Sequence, residues 1–228
     1  MPSLLGVIFD FDGVIADTER LHLRAFQQVL AGGPLTLTEE AYDARYLGYD
    51  DAGVFEALAA DRGRSLPRGE LKRMVAAKGR RYDDLVAAGE VVFPDAPDCI
   101  ARLSADLILG IASGALHGEI EAILEGAGLR RHFSDIVAAD DVERSKPAPD
   151  SYLRAVELLS AALGRPPSPS GFVAIEDSRW GIEAATAAGL PCVGITTSYG
   201  PEALPGAALI VSRLAEVDRK ALAALCRP

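Results

Sequence analysis

The chain has 228 residues, of which 49 % are hydrophobic, enough for one large domain or for a core domain with a smaller insert. Its net charge of −10 excludes non-specific nucleic-acid binding, which needs a basic surface, but leaves a small anionic substrate open, since a metal ion and one lysine can reverse the potential inside a pocket. No apolar run approaches the roughly eighteen residues of a membrane span, Met1-Pro2-Ser3 opens no signal peptide, and Cys99, Cys192 and Cys226 form no CxxC pair, so a cytoplasmic protein with reduced thiols and no membrane contact is expected.

In chain order, short apolar runs predict strands at Leu4–Asp10, Leu107–Ala112, Asp135–Ala138, Phe172–Ile175, Cys192–Ile195 and Leu209–Val211. Their near-continuous apolar content is what parallel strands covered on both faces require. Between them, amphipathic patterns predict helices at Glu119–Gly126, Ser151–Leu163 and Arg179–Ala188, with Gly128, Gly164 and Gly189 placed to end them. Such alternation predicts an α/β fold, a doubly wound parallel (Rossmann-like) sheet with its ligand site beyond the carboxyl ends of the strands. One segment breaks the pattern. From Asp17 to Gly89 helical patterns run without a strand, with a capping box at Thr36-x-x-Glu39 and Pro67 opening a helix to about Ala88. We read residues 17–90 as an all-helical cap domain inserted into an α/β core of residues 1–16 and 91–228, hinged near Ala16–Thr18 and Glu90–Pro94.

Four strand ends carry chemistry-bearing residues. The first runs into Asp10-Phe11-Asp12-Gly13, two carboxylates on one side of an extended chain before a glycine that lets it turn. The second ends in Ser113-Gly114, a hydroxyl and an amide suited to phosphate oxygens. Lys146 stands in Lys146-Pro147-Ala148-Pro149, where the prolines stiffen the backbone that aims it. The fourth motif, Glu176-Asp177-Ser178, offers two more carboxylates, which could also serve only to cap the helix that follows. Asp10, Asp12, Glu176 and Asp177 at one sheet edge would repel one another unless a cation sat among them, and an all-oxygen set selects a hard divalent ion such as Mg2+. Nucleophilic carboxylate, hydroxyl donor, ammonium and metal carboxylates are together the parts of a phosphoryl-transfer site.

The whole set resembles the haloacid dehalogenase-like hydrolase superfamily. The run Asp10-Phe11-Asp12-Gly13-Val14-Ile15-Ala16-Asp17-Thr18-Glu19-Arg20-Leu21-His22, with a helical insert directly after it, resembles the β-phosphoglucomutase and phosphoglycolate phosphatase branch. The resemblance implies that Asp10 attacks phosphorus and that Asp12 protonates the leaving oxygen and then activates water. It implies magnesium held by Asp10, the Asp12 main-chain carbonyl, Asp177 and, directly or through water, Glu176. Ser113, the Gly114 amide and Lys146 would bind the transferring phosphoryl group of a small phosphorylated metabolite. The intact Asp12 argues against dehalogenation and phosphonate cleavage.

Within that branch, Thr18, His22 and Lys78 match positions near the active site of β-phosphoglucomutase-like sequences. Where such mutases carry a cap-loop arginine, this chain reads Gly48-Tyr49-Asp50-Asp51, and Leu116-His117 replaces a Lys-Asn pair after Ser113. A second phosphate would meet carboxylates in that loop, which favours a phosphatase over a mutase, with a non-catalytic binding protein as a third reading. Gly48 and the neighbouring Arg45, Tyr46, Tyr49 and Asp50 are the cap candidates for substrate contact.

Overall fold

The computed structural model describes residues 4–46, 49, 51–87 and 91–226. Strand β1 (Gly6–Phe9) leads into helices α1 (Thr18–Leu30), α2 (Glu39–Arg45), α3 (Asp51–Ala60) and α4 (Arg68–Ala87). The chain continues through α5 (Ala96–Ser104), β2 (Ile108–Ala112), α6 (His117–Gly126), β3 (Asp135–Val137) and α7 (Asp150–Ala162). It ends with β4 (Phe172–Glu176), α8 (Arg179–Ala187), β5 (Cys192–Ile195), β6 (Leu209–Val211) and α9 (Arg219–Leu225).

The strands form one six-stranded parallel sheet in the order β3-β2-β1-β4-β5-β6. All six lie where the apolar runs predict them, within two residues at each end, and β4 runs one residue further, to Glu176. Ile8, Ala112, Ala174 and Cys192 share one buried cluster with Tyr152, Leu159 and Ile182 from α7 and α8. The alternate residues Val7, Phe9, Ile111, Val173 and Ile175 are equally buried and point to the opposite face. Burial of both faces is why these strands read as unbroken apolar runs. Gly128, Gly164 and Gly189 follow α6, α7 and α8 with positive φ, as helix-ending glycines do.

Register decides where the site lies. Phe9 pairs with Ile111 of β2 and Ile175 of β4, so Asp10 falls level with Ala112 and Glu176 at the carboxyl edge. The strand order reverses at β1, flanked by β2 and β4, and a crevice opens at such a switch point.

The chain divides into two compact units, Met1–Asp17 with Val92–Pro228, and Thr18–Val91. The second is helical, α1 to α4, around Leu23, Phe26, Leu30, Val54, Phe55 and Leu58. Its capping differs from the sequence expectation. Thr38, not Thr36, caps α2 by accepting from the Ala41 amide, while Thr36 accepts from Arg62. Thr36 has Glu39 three residues on and Thr38 has Ala41, yet the helix begins directly after Thr38, and Thr36 is taken by Arg62. Pro67 precedes α4, and its carbonyl accepts from Glu70 and Leu71. Among the described residues no helix is long and apolar enough to cross a membrane.

Candidate active site

The loop after β1 brings Asp10 to the sheet edge and turns at once. Asp10 is buried, and its amide donates to the Ile175 carbonyl at 2.9 Å. The next residues fold into a tight turn, with the Ala16 amide on the Phe11 carbonyl and the Gly13 amide on the Ala16 carbonyl. Asp12, half-buried, sits in that turn. Gly13 has a φ of 74°, and a Cβ there would lie 1.8 Å from Asp177 Oδ2, so glycine is required for both conformation and room.

Glu176 ends β4 fully buried, with Asp177 beside it. Neither caps α8: Ser178 does, accepting from the Gly181 amide at 3.1 Å, which leaves both carboxylates for other work. One oxygen from each of Asp10, Glu176 and Asp177 lies within 4.8 Å of the others. The Lys146 ammonium joins them, 2.8 Å from Asp10 Oδ1 and 2.6 Å from Glu176 Oε1. Lys146 thus lies inside the site rather than on the solvated surface, and its bond to Pro147 is cis.

The electrostatics follow from this crowding. Burial, with the Asp10 charge beside it, pushes the Asp177 carboxyl up to about 8, opposed by the bond from Ser198. Burial and Asp10 likewise push Glu176 up to about 7, opposed by Lys146 and Tyr152. Burial pulls the Lys146 ammonium down, but Asp10 and Glu176 outweigh it and hold it above its ordinary value. Three carboxylates around one ammonium leave excess negative charge in a buried place, the condition a divalent cation relieves.

Ser113 follows β2 on the strand next to β1, buried, its hydroxyl accepting from the Ala115 amide at 3.0 Å. Gly114 is exposed, with open space where a Cβ would stand. The acidic cluster thus lies at the carboxyl ends of β1 and β4, Lys146 reaches it from the loop ahead of α7, and Ser113 stands at the carboxyl end of the adjacent β2.

A family model for haloacid dehalogenase-like hydrolases matches residues 4–189. The chain belongs to that family. It is 34 % identical to the protein CbbY of Rhodobacter capsulatus, across 86 % of this chain and 87 % of the relative. It is 28 % identical to a phosphoglycolate phosphatase of Mesorhizobium japonicum, across 85 % and 83 %. Among solved structures, a putative β-phosphoglucomutase from Thermotoga maritima superposes with a TM-score of 0.76 at 27 % identity, covering 93 % of this chain and 95 % of that one. A CbbY variant from Rhodobacter sphaeroides, in complex with xylulose-(1,5)bisphosphate, superposes at 0.70 with 29 % identity, covering 93 % and 96 %. These similarities put this haloacid dehalogenase-like hydrolase in the β-phosphoglucomutase and phosphoglycolate phosphatase branch.

In this hydrolase several contributors carry no sequence signal of their own. Tyr152 of α7 donates to Glu176 Oε1 at 2.7 Å. From the segment after β5, the Thr197 hydroxyl donates to the Gly13 carbonyl and the Ser198 hydroxyl to Asp177 Oδ2. Gly181 of α8 makes room for Glu176, since a Cβ there would lie 1.9 Å from the carboxyl carbon.

Of the residues matched in the helical unit, Thr18 opens α1 and is buried. His22 and Lys78 meet directly, Nζ to Nδ1 at 2.6 Å, with the His22 ring stacked on Tyr82 at 4.4 Å. Lys78 is buried and pairs with Asp51 at 2.7 Å. That pairing qualifies one expectation: Asp51 is not an uncompensated carboxylate that would repel a second phosphate, because Lys78 of α4 supplies its counter-ion. Arg45 and Tyr46, read as substrate contacts, both bind Asp61 within the unit, and Tyr46 is buried. Tyr49 is exposed, while Gly48 and Asp50 lie outside the described residues.

Proposed function

We propose that this hydrolase is a magnesium-dependent phosphatase of small phosphorylated metabolites, sugar phosphates or phosphoglycolate-like acids, in which Asp10 is phosphorylated during turnover. The reading rests on one observation above the others: three buried carboxylates within 4.8 Å of one another, with Lys146 bridging two of them. Family membership and the phosphoglycolate phosphatase relative supply the reaction class. An all-oxygen donor set with surplus negative charge fits magnesium, held by Asp10, Glu176, Asp177 and the Asp12 carbonyl. When bound, the ion supplies charge neutralisation for the phosphoryl group.

The residues divide the work as follows. Lys146, Ser113 and the Gly114 amide hold the phosphoryl oxygens. A carboxylate oxygen of Asp10 bonds to phosphorus as the ester P–O bond breaks, and Asp12 gives its proton to the leaving oxygen. Water then attacks phosphorus, Asp12 takes its proton, and the bond to Asp10 breaks to release inorganic phosphate. Asp12 meets the leaving group and then the water, while Asp10 stays bonded to Lys146 when the site is free of substrate. The free, buried cysteines and the absence of a membrane-length helix among the described residues fit a cytoplasmic setting.

The test is phosphate release from a panel of phosphorylated sugars and short acids. Activity should vanish with chelator, return with magnesium and return poorly with calcium, whose longer bonds disturb in-line geometry. Full activity in excess chelator would remove the metal from the reading. A mutase remains the second reading, favoured by the likeness to the Thermotoga protein and by the Lys78 charge that offsets Asp51.

A further inference from the structure

The Glu176 carboxylate is held with more care than one member of an acidic cluster needs. Its Oε1 accepts from the Lys146 ammonium at 2.6 Å and from the Tyr152 hydroxyl at 2.7 Å, and its Oε2 has a long contact of 3.4 Å from Ser178. Behind it, the backbone of α8 at Gly181 leaves no room even for a methyl group. Tyr152 itself is fully buried, packed with Leu159, Ala112 and Ala174 between α7 and the sheet. A phenol in that position has given up water at both its ring and its hydroxyl, and its one polar atom is spent on Glu176. Its ring meanwhile faces the Lys146 ammonium, 5.2 Å from the centroid. One side chain on α7 therefore touches both Lys146 and Glu176.

We infer that Tyr152 is a positioning residue for the metal site: its hydroxyl locks Oε1 of Glu176 and so fixes the orientation in which the carboxylate meets the cation. Partners one step behind a metal ligand set its orientation and basicity, and their loss costs about 10- to 100-fold in affinity or activity. The ring and the hydroxyl have separable duties. The ring fills the core and faces Lys146; the hydroxyl alone orients Glu176. The inference rests on the proposed magnesium site and extends it to a residue outside the cluster.

Tyr152→Phe separates the two duties, since it keeps the ring and removes one oxygen. Magnesium binding is read by calorimetry on the substrate-free protein, for wild type, Tyr152→Phe, Glu176→Gln and the double variant, with a thermal melt of each. The expected result is magnesium affinity lowered about tenfold or more by Tyr152→Phe, with its melting profile close to wild type. The double variant should bind no more weakly than Glu176→Gln alone, because the hydroxyl acts only through that carboxylate. Unchanged magnesium affinity in folded Tyr152→Phe, or additive losses in the double variant, overturns the positioning role while leaving the metal site intact. A wild-type protein that binds no magnesium overturns both.

Discussion

Asp10 and Gly181 show how much of this site depends on single atoms. Asp10→Asn is nearly isosteric and keeps an acceptor for Lys146, but an amide does not attack phosphorus. Turnover should fall to background while the melting curve persists, and steady-state hydrolysis by pure, folded Asp10→Asn would end the covalent reading. Gly181→Ala acts by volume instead. Its methyl would stand 1.9 Å from the Glu176 carboxyl carbon, so the carboxylate must leave or α8 must shift. Overpacking of this kind costs about 1–3 kcal/mol. We expect a lowered melting temperature together with lost magnesium binding; a variant that melts and binds magnesium like wild type would show that Glu176 has another place to go. The Asp-x-Asp-Gly and Glu-Asp-Ser motifs are legible in sequence because their members are neighbours on one strand end. Gly181 is illegible, because nothing within α8 marks it as the residue facing a carboxylate.

At the scale of elements, α1, α3 and α4 are tied by a polar knot of buried Lys78 with the half-buried His22 and Asp51, with Phe26 and Tyr82 rings about 5 Å from the ammonium. Burial, and then the Lys78 charge, pushes His22 down to about 4 from 6.5, against a smaller opposing pull from Asp51. The unfolded chain therefore binds the extra proton before the folded one does. Stability contributed by neutral His22 is complete above pH 6.5 and is lost as pH falls toward 4. One such group contributes at most about 3 kcal/mol. Thermal melts at pH 7 and pH 5 should show wild type losing more stability than His22→Gln; equal losses would mean that the imidazole is already charged in the folded protein. The helical pattern of this segment was readable from spacing. The knot was not, since His22 and Lys78 stand 56 residues apart and meet only once α1 packs on α4.

For the whole molecule the open choice is between water and sugar as the acceptor of the phosphoryl group. Sequence alone argues that carboxylates in the 48–51 segment repel a second phosphate, and the Asp51–Lys78 pair removes half of that argument. Beside Asp50, what remains is the segment after Ser113. There His117 is committed, its amide to Asp140 at 2.9 Å and its ring to Asp141 at 3.0 Å, and Leu116 offers no polar atom in its side chain. The bond to Asp141 also raises the His117 pKa. We expect phosphorus NMR on β-glucose 1-phosphate with a trace of bisphosphate to show inorganic phosphate accumulating ahead of glucose 6-phosphate. The reverse order would establish the mutase.

Taken by itself, the sequence determined the six parallel strands, the helical segment between the first two, and the motifs at the strand ends. Strands buried on both faces must be continuously apolar, and their functional residues must follow where burial stops, so both leave local marks. Tertiary structure alone decided the partnerships: Tyr152 with Glu176, Ser198 with Asp177, Thr197 with Gly13 and Lys78 with Asp51. Each joins residues whose separation is set by strand order, register or helix packing. Local periodicity records that a residue is buried or exposed, and not which distant element will stand beside it.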